Sequence, residues 1–329
     1  MVITADIGAT KTVLAQAHND GGTITLESVK RYQGRRYATF ESVVEQYRDD
    51  TGTSDVAGLF VGAAGAVADN RCAVTHLDWI IDGAELARHF GFKRVTIMND
   101  LEAAGYGLDF LPASAFETVN PGQPSKHGTR VLISPGTGLG TTIIPNIDGR
   151  YHPIASEGGH AGFVSYDGHT RRLWEFARRL RPHVSWETFL SGSGFGLLYR
   201  FLAADGGIEI PPDTENKLND DPGPAVTALA LEKRDPSAVM AVGFFLDILA
   251  SAAGDLTLMG MARGGVYIGG GIVPWISSLV NKDRFVRVFS DKGVHESLLR
   301  EIPIKIVMEP LLPLYGAAGY AFNSNRTPG

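Results

Sequence analysis

Cysteine is nearly absent: Cys72 is the only one in 329 residues. No intramolecular disulfide and no cysteine-based zinc cluster can form, and this usage fits a reducing cytoplasm. A basic excess is missing too. The 30 Lys and Arg stand against 36 Asp and Glu, for a net charge of -6, which gives no electrostatic footprint for nucleic acid or an anionic membrane surface. The Arg pairs in "GRRYA" and "HTRRLWEFARRLR" are short and mixed with apolar residues, as solvated faces are. No window reads as the roughly 18 to 20 apolar residues of a membrane span. The N-terminus "MVITADIGATKT" has no basic segment leading into a long apolar one. These absences predict a soluble cytoplasmic protein that binds neither nucleic acid nor membrane.

What is present argues for an ordered α/β protein. Hydrophobic residues make up 44% and charged residues 20%, far from the signature of disorder. The length exceeds what one hydrophobic core sustains, so two domains are expected. "VITAD", "IGATK" and "TVLAQAH" read as strand, glycine turn and strand; "VAGLFVGAA", "AELARHFGF" and "VTIMND" then alternate strand, helix and strand. Turn formers follow Gly107, placing a domain transition near Leu111, and "RVLISPGTGLGTTIIP" forms a second hairpin. Helical spacing marks "RRLWEFARRL" and residues Ala238 to Gly260, with "EIPPDTENKLNDDPGP" between them as a polar, Pro-rich loop. "GGVYIGGGIVPWISSLV" reads as strand, glycine turn and helix. "ADIGATKT" and "SPGTGLGTT" echo one another, as two domains on related plans would, or as two unrelated β-turns would.

Glycine turns can converge backbone amides on an anion, because they allow positive φ and leave no Cβ in the way. In the first, Gly8, Thr10, Lys11 and Thr12 could meet phosphates, and Asp6 could hold Mg²⁺ through water. The second offers Gly136, Thr137, Gly138 and Gly140. Strand residues follow it, so it is not a dinucleotide fingerprint, and no Gly-x-x-x-x-Gly-Lys-Ser/Thr occurs. The third, Gly269, Gly270 and Gly271, lies between a strand and a helix with Pro274 suited to the first turn. Plain turns and tight strand-to-helix packing use the same residues; three such sites together favour a nucleoside triphosphate.

In "VTIMNDLEAAGYG", Asn99 and Asp100 stand where a buried strand hands over to a helix. Either would cap the helix, but a helix needs one cap, and the carboxyl end of such a strand is where α/β sheets bind ligands. In "ASEGGHAGF", Glu157 and His160 flank two glycines whose backbone freedom lets both side chains point into one site. With Glu187 of "SWETFLSGSG", these residues supply the donors and acceptors that a polyhydroxyl ligand needs, and phosphoryl transfer needs a carboxylate beside the attacking hydroxyl.

Taken together these stretches resemble the bacterial ATP-dependent glucokinase family, within the sugar kinase, heat-shock protein and actin superfamily. "ADIGATKT" and "SPGTGLGTT" are similar to its two phosphate motifs, "NDLEAAGYG" to its catalytic motif, "SEGGH" to its sugar motif, "GGVYIGGGIVP" to its adenosine motif, and "LPLYGAAGYAF" to its closing helix. The resemblance implies two ribonuclease-H-like (actin-like ATPase) domains flanking a cleft: a small one over 1–110, completed by a C-terminal helix over 312–329, and a large one over 111–311. It implies transfer of the γ-phosphoryl group of ATP to the 6-hydroxyl of glucose, with Asp100 as general base. Asn99, Asp100, Glu157, His160 and Glu187 would meet the sugar. Asp6, Gly8, Thr10, Lys11, Thr12, Gly136, Thr137, Gly138, Gly140 and Gly269 to Gly271 would meet ATP, and Asp6 would organise Mg²⁺ directly or through water. A homodimer is what the family suggests.

Two departures matter. His76, in "VTHLDW", stands where the family's Thr-Asn-x-x-Trp stretch has asparagine, and no cysteine-rich zinc motif follows "EGGH", which separates this chain from the neighbouring family of sugar kinases and regulators. A kinase for another hexose and a non-catalytic sugar sensor are the competing readings. With the first phosphate turn at the start of the sequence, no DNA-binding helix-turn-helix is expected before it, which counts against the sensor.

Overall fold

The computed structural model describes residues 1–8, 11–75, 77–233 and 235–323. Thr10, His76 and the expected end of the C-terminal helix over 324–329 lie outside the described residues. The chain divides into two units, described in turn.

The first unit takes Met1–Ala115, Tyr151–Ala155 and the chain from Leu311. Its sheet holds β1 (Val2–Ile7), β2 (Thr12–Asp20), β3 (Thr23–Tyr32), β4 (Gly58–Ala63) and β5 (Arg94–Asn99) in the order β3-β2-β1-β4-β5. β1 to β3 form an antiparallel meander, whereas β4 and β5 run parallel to β1. Parallel pairing requires crossovers, which α1 (Phe40–Thr51) and α2 (Gly83–Phe90) supply. Thr39 caps α1 and Gly52, at φ 65°, ends it, so Phe40, Val43, Val44 and Tyr47 fall on one buried stripe. α3 (Asp100–Gly107) follows β5 without a break and packs against the C-terminal helix, Leu312–Asn323.

The second unit takes Phe116–Arg150 and Ser156–Pro310. Its strands are β6 (Phe116–Asn120), β7 (Arg130–Pro135), β8 (Leu139–Ile144), β9 (Gly265–Ile268) and β10 (Ile304–Val307), in the order β8-β7-β9-β10-β6. β7 and β8 form a hairpin, β9 and β10 run parallel to β7, and β6 closes the edge antiparallel. Both sheets thus contain a glycine-turned hairpin whose first strand is continued across the sheet by two parallel ones. The echo between the two glycine motifs is a shared topology.

Two expectations fail in this unit. Its helices begin with α4 (Gly168–Arg178) and α5 (Gly192–Gly206), and the expected Pro-rich loop is then two further helices, α6 (Pro212–Asp220) and α7 (Pro222–Leu231). Each opens on a proline at its first position, where the missing N–H has no intrahelical partner to lose. The prolines mark starts, and burial of Leu218, Val226 and Ala230 anchors the pair. The second concerns α8 (Pro236–Gly260), which is long and apolar enough to cross a membrane by length and composition, with a mean hydropathy of 1.7. Asp247 and Asp255 interrupt the apolar run, which hides it from a reading by uninterrupted stretches. The protein itself buries 78% of that window: α8 is the core helix of the unit, with Phe245 stacked on Phe195 at 4.3 Å. After β9 comes a one-turn helix, α9 (Ile272–Trp275), followed by α10 (Lys282–Ser290) and α11 (Glu296–Arg300).

Candidate active site

In the first unit, hydrogen bonds decide which of Asn99 and Asp100 caps α3. Asn99 is buried, and its Oδ1 accepts from Leu101 N (3.0 Å) and Glu102 N (3.3 Å), while its Nδ2 donates to Gly65 O at 3.3 Å. Asn99 is therefore the cap of α3. Asp100 is the first helical residue, with Oδ1 2.9 Å from Leu101 N.

Asp6 is the last residue but one of β1, close to the first glycine turn. Gly8 N donates to Lys11 O at 3.0 Å, closing the turn, and Lys11 is exposed. Burial, and then the negative charge of Asp100, push the Asp6 carboxyl up to about 7. Thr12 is fully buried, and its Oγ1 has no hydrogen-bond partner among the described residues. A desolvated carboxylate and an orphaned hydroxyl next to a glycine turn fit a phosphate-bound Mg²⁺. Among the described residues no group of three or more His, Cys, Asp or Glu could cage a metal.

In the second unit, three short turns meet at the start of β8. The β7–β8 turn closes through Gly136 N to Gly138 O (2.8 Å), and Gly136 O accepts from Gly192 N (2.9 Å) at the start of α5. Glu157 and His160 are the exposed ends of one turn, joined by His160 N to Glu157 O at 3.0 Å. The glycines between them serve space rather than freedom: a Cβ on Gly159 would lie 2.0 Å from Leu139 O, so the turn packs directly on β8. Glu187 sits on a third turn, Trp186–Thr188, held by Trp186 N to Ala161 O (3.1 Å) and by the Gly162–Ser185 bridge. Its Oε2 accepts from Leu139 N at 2.8 Å, and its Oε1 stands 3.8 Å from His160 Nδ1.

The third glycine cluster follows β9. Gly269 N donates to Ile133 O at 2.9 Å, and a Cβ on Gly270 would lie 2.2 Å from Pro135 O. Packing against the end of β7 thus accounts for these two glycines, whereas a Cβ on Gly271 would meet nothing within 4 Å. Sequence reasoning missed the start of α5 as a neighbour of the Gly136–Gly138 turn. Its signal was the "SGSG" run after Glu187, with Ser191 capping the helix through Gly194 N at 3.2 Å.

In both units the glycine turns open at the carboxyl ends of parallel strands, where α/β sheets take their ligands. This arrangement is the actin-like ATPase fold as sugar kinases use it. A family model described as glucokinase matches residues 3–324. The glucokinase of Synechocystis sp. is 32% identical over an alignment of 348 residues, covering 98% of each chain. That of Chromobacterium violaceum is 34% identical over 296 residues, covering 90% of this chain and 82% of the relative. A crystal structure of glucokinase from an Antarctic psychrotroph aligns with a TM-score of 0.85 at 27% identity, covering 98% of each chain. The chain belongs to the glucokinase family, the ATP-dependent hexose kinases.

Proposed function

We propose that Asp100 is the general base of a glucose 6-phosphotransfer. The Asp100 carboxylate takes the proton of the sugar's 6-hydroxyl as that oxygen bonds to the γ-phosphorus of ATP, and the bond from that phosphorus to the β–γ bridging oxygen breaks to leave ADP. The observation that carries this reading is the place of Asp100: it opens α3 directly after the buried strand β5, where α/β sheets take their ligands, while Asn99 supplies the cap. Asn99, Glu157, His160 and Glu187 hold the sugar hydroxyls. The turn from Gly136 to Gly140, with Gly8, Thr10, Lys11 and Thr12, holds the phosphates, and Gly269 to Gly271 lie against the nucleoside. Asp6 holds Mg²⁺, directly or through water. Bound there, the ion neutralises phosphate charge.

The proposal includes a small domain over 1–110 with 312–329 and a large one over 111–311. Packing of the C-terminal helix on α3 supports the first part. A cytoplasmic setting is supported by the single, buried cysteine, and a glycolytic role and a homodimer by the family alone.

The deciding experiment is ADP release from MgATP with glucose, mannose, fructose or N-acetylglucosamine, for the parent and Asp100→Asn. Glucose-dependent turnover that vanishes in the variant supports the proposal. Preference for another sugar revises the substrate, and sugar binding without turnover moves the chain to the sensors.

A further inference from the structure

We propose that Glu187 is a positioning residue for the nucleotide: it fixes the phosphate-binding turn and thereby couples that turn to the sugar. The inference rests on the reading of the two motifs given above, and the bonds that carry it all lie within the second unit.

The Glu187 carboxylate has one oxygen in each motif. Oε2 accepts the N–H of Leu139, the residue that ends the Gly136–Gly138 turn, and Oε1 faces His160 of the sugar turn. The contact with the phosphate turn is close: a Cβ on Gly138 would lie 2.5 Å from Oε2 and 3.3 Å from the carboxyl carbon. The turn tolerates Glu187 because residue 138 has no side chain. With Gly136 N closed on Gly138 O and Leu139 N closed on Glu187, the Thr137 and Gly138 amides between them are the turn's candidates for an anion. Both flanks of that pair are thus pinned, one by the turn itself and one by Glu187.

A carboxylate that serves only the sugar would need no bond to the backbone of the nucleotide turn. The chain holds Glu187 at this place by separate means, the bridge from Gly162 to Ser185 and the reciprocal bonds of Ser185 and Thr188. A sugar hydroxyl bonded to Oε1 would orient the same rigid group that holds Leu139 N on Oε2. Sugar then lowers the ordering cost that the nucleotide meets at the turn, and by linkage nucleotide tightens sugar by the same factor.

The test is calorimetric binding of the non-hydrolysable analogue AMP-PNP with Mg²⁺, with and without glucose, to the parent, Glu187→Ala, Glu187→Gln, Gly138→Ala and Glu157→Gln. Without any sugar, Glu187→Ala is expected to weaken AMP-PNP about tenfold. Glu187→Gln restores most of this, since an amide oxygen still accepts the Leu139 N–H. Gly138→Ala, which displaces the carboxylate without altering it, reproduces the alanine loss. Glu157→Gln, on the sugar turn with no bond to Leu139, leaves sugar-free nucleotide affinity within twofold of the parent. In the parent, glucose tightens AMP-PNP at least about fivefold, the lower end of usual couplings, and Glu187→Ala brings that ratio near one. The proposal is overturned if Glu187→Ala binds AMP-PNP like the parent in the absence of sugar, or if Glu157→Gln weakens it equally. Should the alanine variant fail to fold, Glu187→Gln against Gly138→Ala carries the same decision. The sugar-free arm reads the nucleotide turn alone, so a parent that binds AMP-PNP but does not phosphorylate glucose would fail the proposed function without touching this result.

Discussion

Asp6, one residue from the end of β1, and Asp100, the first residue after β5, lie on either side of β4, and the charge on Asp100 adds to burial in holding the Asp6 carboxyl up at about 7. The pair gives one group that resists ionisation near neutrality next to the group assigned as the base. Burial is the larger cause of that shift, and the neighbouring negative charge adds to it.

Removing the Asp100 carboxylate while keeping its shape tests the base directly. Asp100→Asn is expected to lower kcat by about 10² to 10⁴, the usual contribution of a positioned base, with glucose affinity changed only a few-fold. Steady-state ADP release and glucose titration check both halves. A variant that turns over like the parent would remove Asp100 from the chemistry.

Asp6 makes stability depend on pH in an unusual direction for a carboxylate. Its folded pKa lies above the unfolded value, so between about pH 4 and pH 7 the native state binds more protons than the unfolded one. Stability is therefore lost as pH rises through this window, by up to on the order of 4 kcal/mol. In the absence of nucleotide and divalent ions, Asp6→Asn should unfold at the same urea concentration as the parent near pH 4. At pH 8 its midpoint should lie clearly higher. Equal midpoints at both pH values would show that Asp6 is not desolvated.

Asn99 is expected to carry a structural and a binding role that two substitutions separate. Asn99→Ala removes the cap of α3 and should cost about 1 kcal/mol in urea unfolding. Asn99→Asp keeps the accepting oxygen and should restore most of that stability. If the aspartate variant still loses glucose affinity, the Nδ2 group is the part that serves the sugar.

The C-terminal helix docks on α3 through a glycine. A Cβ on Gly316 would lie 1.6 Å from Ala103 O, so Gly316→Ala must push the two helices apart. An overpacking cost of about 1 to 3 kcal/mol is expected, together with a fall in activity, because α3 carries Asp100. A melting temperature and kcat equal to the parent's would show that the helix is dispensable for the site.

The sequence was most legible where chemistry sits in a short run. Asp6 to Thr12, Asn99 with Asp100, Gly136 to Gly140, and Glu157 to His160 each announce a turn or strand end from residue types alone, since a glycine, a cap or a strand terminus is a local matter. It was least legible where packing overrides composition. The prolines at 212 and 222 read as loop residues until burial of Leu218 and Val226 shows them to be helix starts. The run in α8 that Asp247 and Asp255 interrupt is a core helix because the rest of the second unit covers it.

The amino-acid order by itself determined the two glycine-turned hairpins, the place of Asp100 after a buried strand, and the family to which the chain belongs. Tertiary structure alone decided what each polar group does. It gave the cap to Asn99, and it brought Glu187 to Leu139, residues 48 positions apart. It also raised the Asp6 carboxyl through burial and a neighbouring charge. Hydrogen bonds and desolvation act over a few ångströms in space whatever the separation along the chain, so they exist only once the sheets have formed.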